Sequence, residues 1–257
     1  MKERNFRMHP SLLLWIFPLI FGVRLVVGED AVSVFPKVLD SLAQQNLPVS
    51  FKLKVKEIHT SSVGLEKESL FYLYVADRGR RVGIAYEKSP LNPKKTVFSN
   101  NYGMDIWTLD SAGGRLRKIA FHKMKEPVNG TDFSYWDIFP LILLGREDTL
   151  KSDTGEEGGK RLLRLYPGDR SAYGEIQLFM EKQDMYLDRI GCFTHSGKLY
   201  KEMLMRKSAK KKRKFFRFRS ILLKDLKKGT QTEHQFLKIE RLKKFPEKIS
   251  GLPVMLP

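Results

Sequence analysis

The chain has a single cysteine, Cys192, among its 257 residues. One thiol excludes an intramolecular disulfide and a cysteine-based zinc site, so the hydrophobic core has to stabilise the fold. Histidine is also scarce, because the five histidines are scattered and no two have the spacing of a metal-ligand pair. We therefore expect neither a metal site nor a cofactor.

The sequence also lacks the short motifs that mark a reactive centre. It contains no Gly-x-Ser-x-Gly elbow and no glycine-rich phosphate loop. The aspartates at positions 105, 110, 132 and 137 lie in different expected elements, so we propose no carboxylate pair. We expect a protein that is not an enzyme. The sign of an enzyme would be a set of polar side chains converging in a cavity, and the sequence reveals none.

The apolar run near the N-terminus, residues 12–21, is short for a helix that crosses a bilayer. It follows three cations, and the small residues Val26 and Gly28 come shortly after it. This order predicts a signal peptide over residues 1–28, with one domain over residues 29–257 and export to the periplasm. An uncleaved membrane anchor is the alternative interpretation.

Acidic residues are too few to balance the basic ones, and the net charge is +18. Such a surface attracts nucleic acid, lipopolysaccharide or acidic phospholipid. Nine cations lie in the fourteen residues 206–219. Apolar residues alternate on both sides of this run, which indicates a hairpin with a cationic tip. The tip is either merely solvated or contacts an anionic membrane or partner; we expect no nucleic acid, because an exported protein meets little of it.

Most of the chain after residue 50 has the period of two that is typical of β-strands. Phe51, Leu53 and Val55 alternate with lysines, and turn residues separate many short segments of this kind. The polar stretch 152–159 reads as an exposed linker. We expect a mainly β (α+β) fold, an unclosed antiparallel β-barrel of about 11–12 strands with helices covering its concave face.

Two segments have helical character instead. Apolar residues recur at helical spacing between residues 30 and 45, and residues 133–144 form a second apolar stretch. Before the second stretch, Asp132 or Ser134 can act as N-cap. Phe133, Tyr135 and Trp136 are either ordinary core aromatics or the lining of an apolar cavity.

The stretch Gly130-Thr131-Asp132-Phe133-Ser134-Tyr135-Trp136-Asp137-Ile138 resembles the hallmark of the LolA-like outer-membrane lipoprotein-sorting proteins. That hallmark is close to Gly-Ser-Asp-Phe-Ser-Tyr-Glu-Asp-Leu, so Trp136 replaces an acidic residue. The resemblance implies an open barrel that shelters acyl chains. It implies a monomeric periplasmic carrier of a lipoprotein or lipid, served by an inner-membrane exporter or an outer-membrane acceptor.

On this interpretation, apolar side chains of the two helical segments cover and line the cavity. They are Phe35, Leu39 and Leu42 on the first segment and Phe133, Tyr135, Trp136 and Phe139 on the second. Arg217 and Arg219 would contact anionic headgroups. The alternative is an envelope protein without enzymatic activity, in which the basic hairpin 206–219 binds anionic lipid or a protein partner.

Overall fold

The computed structural model consists almost entirely of strands. It describes residues 50–76, 81–88, 95–100, 105–110, 115–138, 151–167, 171–183, 186–207, 218–243 and 245. The strands are β1 Phe51–Thr60, β2 Glu66–Ala76, β3 Arg81–Lys88, β4 Lys95–Asn100, β5 Asp105–Asp110, β6 Arg115–Lys118, β7 Lys151–Glu157, β8 Lys160–Tyr166, β9 Glu175–Met180, β10 Leu187–Phe193, β11 Leu199–Lys207, β12 Phe218–Asp225 and β13 Thr230–Arg241.

All thirteen strands belong to one antiparallel sheet, in the order β6-β5-β4-β3-β2-β1-β13-β12-β11-β10-β9-β8-β7. The first and last strands pair at its centre, where Phe51 lies opposite Arg241. The two edges are β6 and β7, so the sheet does not close into a barrel. The sequence-based prediction of an unclosed, mainly β antiparallel fold is confirmed, with thirteen strands instead of eleven or twelve.

One face of the sheet, called here the inner face, carries the buried side chains. Successive residues of a strand point to opposite faces, and in β1 the buried Phe51, Leu53 and Val55 alternate with half-exposed lysines. Cross-strand partners continue the inner face, since Val55 lies opposite Phe71 of β2 and Phe236 of β13. One hydrophobic cluster spans this face from β5 to β8.

Three short helices lie in the described part of the connection between β6 and β7, residues 119–138. Two are 3-10 helices, Phe121–Lys123 and Val128–Gly130, and the third is the α-helix α1, Tyr135–Ile138. Met124, Val128 and the aromatic residues of α1 belong to the same hydrophobic cluster as the strands. Among the described residues, this segment, 121–138, is the helical cover of the inner face. Residues 30–45 of the first expected helix lie outside the described residues.

The expectation of a linker at residues 152–159 is wrong, although residues 156–159 are exposed as expected. Residues Lys151–Glu157 form strand β7, paired with β8 along its whole length. Gly158 and Gly159 both have positive φ, at 57° and 76°, as a two-residue hairpin turn requires. The stretch lacks apolar alternation because β7 is an edge strand that pairs on one side only. Polar residues at such a position discourage unwanted pairing with another chain.

Candidate functional site

The segment 121–138 is built around a tight turn. Asn129 has a φ of 54° and Gly130 a φ of 73°, so two successive residues adopt the left-handed conformation. Thr131 Oγ1 donates a hydrogen bond to the carbonyl of Val128 at 2.8 Å. The amide of Val128 in turn donates to the carbonyl of Phe133 at 2.7 Å. The chain therefore folds back on itself, and Asp132 and Phe133 are directed at the sheet.

Helix α1 begins with a reciprocal cap between Ser134 and Asp137. The amide of Asp137 donates to Ser134 Oγ at 3.2 Å, and the amide of Ser134 donates to Asp137 Oδ2 at 2.7 Å. This is the capping-box arrangement, with aspartate in the place of the usual glutamate. Of the two N-cap candidates, Ser134 takes this role. Asp132 has a different one.

Asp137 also binds the sheet through a buried ion pair with Lys201 of β11. The distance from Lys201 Nζ to Asp137 Oδ2 is 2.6 Å, and the two side chains are 4% and 0% exposed. The Tyr173 hydroxyl donates to the other carboxylate oxygen, and Lys201 Nζ also donates to the carbonyl of Asp132 at 2.8 Å. Every polar atom of this carboxylate is therefore engaged.

Burial and charge act in opposite directions on Lys201. Burial would lower the pKa of the ammonium group, but the charge of Asp137 and its hydrogen bond raise that pKa above its ordinary value. For Tyr173, burial and then Asp137 raise the pKa of the hydroxyl well above the ordinary value. We conclude that Lys201 is charged and Tyr173 is a neutral donor at neutral pH.

Asp132 fixes the other end of the segment to strands β1 and β13. Its carboxylate accepts hydrogen bonds from Thr230 and, at 2.8 Å, from Thr232. His59 Nδ1 lies 3.3 Å from Asp132 Oδ2, and Thr232 Oγ1 accepts from the Asp132 amide at 3.1 Å. The motif aspartates therefore act as two anchors that hold the segment on the inner face.

The three motif aromatics are all buried, at 3–5% exposure. The Phe133 ring stacks on the imidazole of His234, with a centroid distance of 4.1 Å and an interplanar angle of 12°. Trp136 meets the edge of Phe121 at 5.2 Å. Burial raises the pKa of Tyr135 to about 12, so its hydroxyl is neutral at any physiological pH.

Beneath Phe133, His234 is hydrogen-bonded to Glu57 of β1. His234 Nε2 lies 2.9 Å from Glu57 Oε2, and the side chain of Glu57 is 3% exposed. Phe71 contacts the same imidazole edge-on at 5.3 Å. Tyr86 of β3 also interacts with Glu57: burial and then the charge of Glu57 raise the pKa of the Tyr86 hydroxyl well above its ordinary value, and a hydrogen bond to Glu57 adds to this effect.

This polar network on the inner face was not predicted from the sequence. The aspartates were expected in different elements with no converging polar set, yet Asp132 and Asp137 lie together with partners up to 100 residues away. The one available signal was Lys201, a lysine at an inward position of a strand with buried alternate residues. The groups form bonded pairs, and no set of three or more of the described histidine, cysteine and acidic residues has a metal-binding arrangement.

The remaining predicted site residues fall into two groups. Arg219 of β12 is described, and its side chain is exposed. The others lie outside the described residues, namely Phe35, Leu39, Leu42, Phe139 and Arg217. In the part of the chain that the structure describes, no helix has both the length and the apolar character needed to cross a membrane.

Comparison with known structures identifies the fold. An outer membrane lipoprotein-sorting protein domain from Vibrio parahaemolyticus superposes with a TM-score of 0.69 at 13% identity, covering 82% of this chain and 93% of that one. A DUF1329 family protein from Desulfovibrio piger gives 0.66 at 14% identity, covering 86% and 98%. A LolA superfamily protein from Nitrosomonas europaea gives 0.62 at 14% identity, covering 82% and 94%.

Sequence comparison adds the family. No curated protein matches the sequence. The model of a family described as "Uncharacterized protein"-like matches residues 84–252, which is more than half of the chain. The chain therefore belongs to that family, and it has a LolA-like fold, as its motif at residues 130–138 predicts.

Proposed function

We propose that this protein is a periplasmic carrier that binds the acyl chains of a lipoprotein or lipid and moves them towards the outer membrane. The observation that carries the proposal is the open sheet with one large hydrophobic cluster on its inner face, in a fold that it shares with lipoprotein-sorting domains. An acyl chain leaves a membrane only if comparable apolar surface replaces it, at about 25 cal/mol per Å² buried.

The proposed lining consists of Phe133, Tyr135 and Trp136 from the described part of the segment, together with Phe139. Phe35, Leu39 and Leu42 would cover the cavity from the first helix. The two anchors at Asp132 and Asp137 support a division of roles between these segments. Because a buried ion pair at Asp137 and buried hydrogen bonds at Asp132 hold residues 132–137 to the sheet, that stretch is the fixed wall of the site, and other segments would move to admit cargo.

The rest of the proposal follows from the carrier role. A signal peptide over residues 1–28 would deliver the domain 29–257 to the periplasm as a monomer. Cargo would be received from an inner-membrane exporter or passed to an outer-membrane acceptor. The proposal includes no catalysis and no nucleic acid; the polar groups of the inner face support this, since they are engaged mainly with one another.

Headgroup contact is the second part of the proposal, through Arg217 and Arg219. Arg206 is 57% exposed and its guanidinium lies 3.3 Å from Glu233, so one cation of the run already has an acidic neighbour. Arg219 is exposed, and its charge acts on Glu233 as that of Arg206 does. A basic hairpin that binds anionic lipid or a protein partner, without any cargo, remains the competing function for this region.

Exchanging single aromatics tests the lining. Phe133→Leu and Trp136→Leu are expected to weaken binding of a fluorescent fatty-acid probe about fivefold, because each removes apolar contact area from the site. Phe179→Leu is the matched control: Phe179 is equally buried but lies on the outer face under Arg189. Equal losses in all three folded variants would contradict the lining.

A further inference from the structure

One end of the sheet carries most of the exposed aliphatic side chains that the structure describes. Val63 and Leu65 are the most exposed large hydrophobic residues of this part of the chain, at 79% and 67%, and Leu226 follows at 47%. They lie on two turns, residues 61–65 between β1 and β2 and residues 226–229 between β12 and β13, called here the apolar turns. Single exposed apolar residues are ordinary, whereas several on neighbouring turns indicate a contact surface.

The apolar turns are neighbours because β1 pairs with β13. This pairing brings Thr60, at the end of β1, opposite Gln231, near the start of β13. A Cβ added to Gly229 would lie 3.8 Å from the Cβ of Ser62, so the two turns approach each other to van der Waals distance. Their aliphatic side chains therefore belong to one surface.

The apolar turns bond much of their own backbone internally. In the first, the amide of Leu65 donates to Ser61 Oγ at 3.0 Å, and the amide of Ser61 donates to the carbonyl of Leu65 at 2.9 Å. In the second, the amides of Lys227 and Lys228 donate to Asp225 Oδ1 at 3.1 and 3.0 Å. Backbone groups that are already bonded can leave water at a much lower cost than free ones.

The charges around the apolar turns are mainly positive. Four exposed lysines lie on these turns, on the adjoining β10–β11 turn or at the start of β2, namely Lys67, Lys198, Lys227 and Lys228. Two exposed acidic residues lie beside them on β2, Glu66 and Glu68, and Glu68 is paired with Lys56 at 2.6 Å. Aliphatic tips surrounded by lysines complement a surface that is anionic outside and apolar beneath, as an anionic phospholipid bilayer is.

The small size of this surface favours a bilayer over a protein partner. A stable protein–protein interface buries about 800 Å² on each side and needs a complementary shape. Three aliphatic side chains on two narrow turns provide only a fraction of such an area. A bilayer needs no complementary shape, because shallow insertion of apolar side chains and attraction of lysines to anionic headgroups act together.

We propose that the apolar turns are a membrane-docking site, at which Val63, Leu65 and Leu226 insert among the headgroups of an anionic phospholipid bilayer. Lys227 contacts the phosphates beside them. The proposal goes beyond the carrier function, because docking does not require that the protein bind cargo.

This site is distinct from the basic hairpin 206–219. Strand β12 begins at Phe218, beside that hairpin, and ends at Asp225, beside the second apolar turn, so the two surfaces lie at opposite ends of the strand. Thr230, which directly follows the second apolar turn, donates a hydrogen bond to Asp132 of the motif segment. Docking through the apolar turns would therefore bring the motif segment close to the bilayer.

A fluorophore in the first apolar turn tests insertion directly on the full chain. Ser62→Cys places an exposed thiol beside Val63, whereas the native thiol of Cys192 is buried. With a nitrobenzoxadiazole label at residue 62, we expect a blue shift and quenching by doxyl lipids on vesicles that contain phosphatidylglycerol. The same label in Leu237→Cys, at a position 46% exposed and well along β13 from the turn, should show neither effect.

Substitutions then assign vesicle binding, measured by co-sedimentation, to the two turns. Val63→Ser combined with Leu65→Ser is expected to weaken binding about tenfold, because it removes inserted apolar area. Lys227→Gln should weaken binding to anionic vesicles about fivefold and leave binding to pure phosphatidylcholine unchanged. Lys227 is chosen because Lys228 is paired with an aspartate. Leu237→Ser, which matches Leu226 in exposure, is the control and should bind as the wild type does.

Several results would overturn the proposal. One is a wild-type protein that does not bind the vesicles, and another is a label at residue 62 that stays in water while the protein binds through another part of the chain. A third is unchanged binding by the double serine variant together with a loss in Arg206→Gln combined with Arg219→Gln, which would assign docking to the basic hairpin. Uptake of a lipid does not sediment the protein, so these results are separate from the test of the carrier function.

Discussion

At the scale of single residues, Asp137 connects more of the site than any other motif residue. It caps α1, accepts a hydrogen bond from the hydroxyl of Tyr173 and forms an ion pair with Lys201, and its side chain is fully buried. Taking two charges out of water is expensive, so such a pair contributes little to stability compared with two apolar groups. Removing only one partner is strongly destabilising, because the remaining charge stays buried without an opposite charge beside it.

We therefore expect Lys201→Met to destabilise the protein by about 3–5 kcal/mol. The surface pair Lys182–Glu156, at 2.6 Å, provides the control, because its side chains are 43% and 64% exposed. Lys182→Met should change stability by less than about 1 kcal/mol. Denaturant unfolding measures both values, and similar values for the two variants would contradict the assignment of Lys201 as a buried anchor.

Cys192 allows a second test at this scale. It lies on β10 opposite Lys201 and is buried. Burial raises the pKa of its thiol well above the ordinary value, and the charge of Asp137 adds to this, against a smaller opposite effect of Lys201. The native thiol should therefore not react with a disulfide reagent at pH 8, whereas the unfolded chain should react with one equivalent of the reagent.

The same raised pKa has a consequence for stability. The folded state favours the protonated thiol, so this contribution is fully present below the pKa of the unfolded thiol. It is lost as pH rises above that value, towards the pKa in the folded state.

The labelling experiment has a positive control, a Ser62→Cys variant with its thiol in the β1–β2 turn. Rapid labelling of Cys192 in the native protein would show that the inner face is open at this point.

At the scale of elements, the close approach of two turns explains why residue 174 is a glycine. A Cβ added to Gly174, just before β9, would lie 2.6 Å from the Cα atom of His195 in the β10–β11 turn. The amide of Gly174 donates to the carbonyl of Phe193 at 3.0 Å, so the two backbones are held together. A backbone atom cannot move away as a side chain can.

Gly174→Ala should therefore cost about 1–3 kcal/mol of unfolding free energy, as overpacking does. Gly155 in β7 is the comparison, because a Cβ there would meet only the guanidinium of Arg164 at 3.5 Å. Gly155→Ala should leave stability unchanged within about 0.5 kcal/mol. Thermal unfolding distinguishes the two, and a neutral Gly174→Ala would mean that the turns are not packed as described.

The elements also show what sequence analysis can and cannot predict. The alternation of Phe51, Leu53 and Val55 predicted β1 correctly, because a strand with one buried face leaves a strict pattern of period two. β7 was missed, because a polar edge strand leaves no such pattern. The bonds of Asp132 were missed for another reason: its partners His59 and Thr232 are brought to it by the pairing of the first strand with the last.

At the scale of the whole molecule, the open sheet separates a polar region from an apolar one. The motif segment and its partners lie at one end of the inner face, and the apolar cluster extends from there across strands of both halves of the sheet. The proposed carrier function would place the acyl chain of the cargo on the apolar cluster. The fold and the motif were predictable from sequence, whereas the long-range bonds of Asp132 and Asp137 were not.

The most direct test of the carrier function is native mass spectrometry of the protein purified from its own envelope fraction, followed by lipid extraction. The account predicts acyl-chain species bound at close to one per protein molecule, and their identity would define the cargo. A protein that is free of lipid, and whose mass is unchanged after incubation with lipids, would contradict the account and favour the basic hairpin as its functional part.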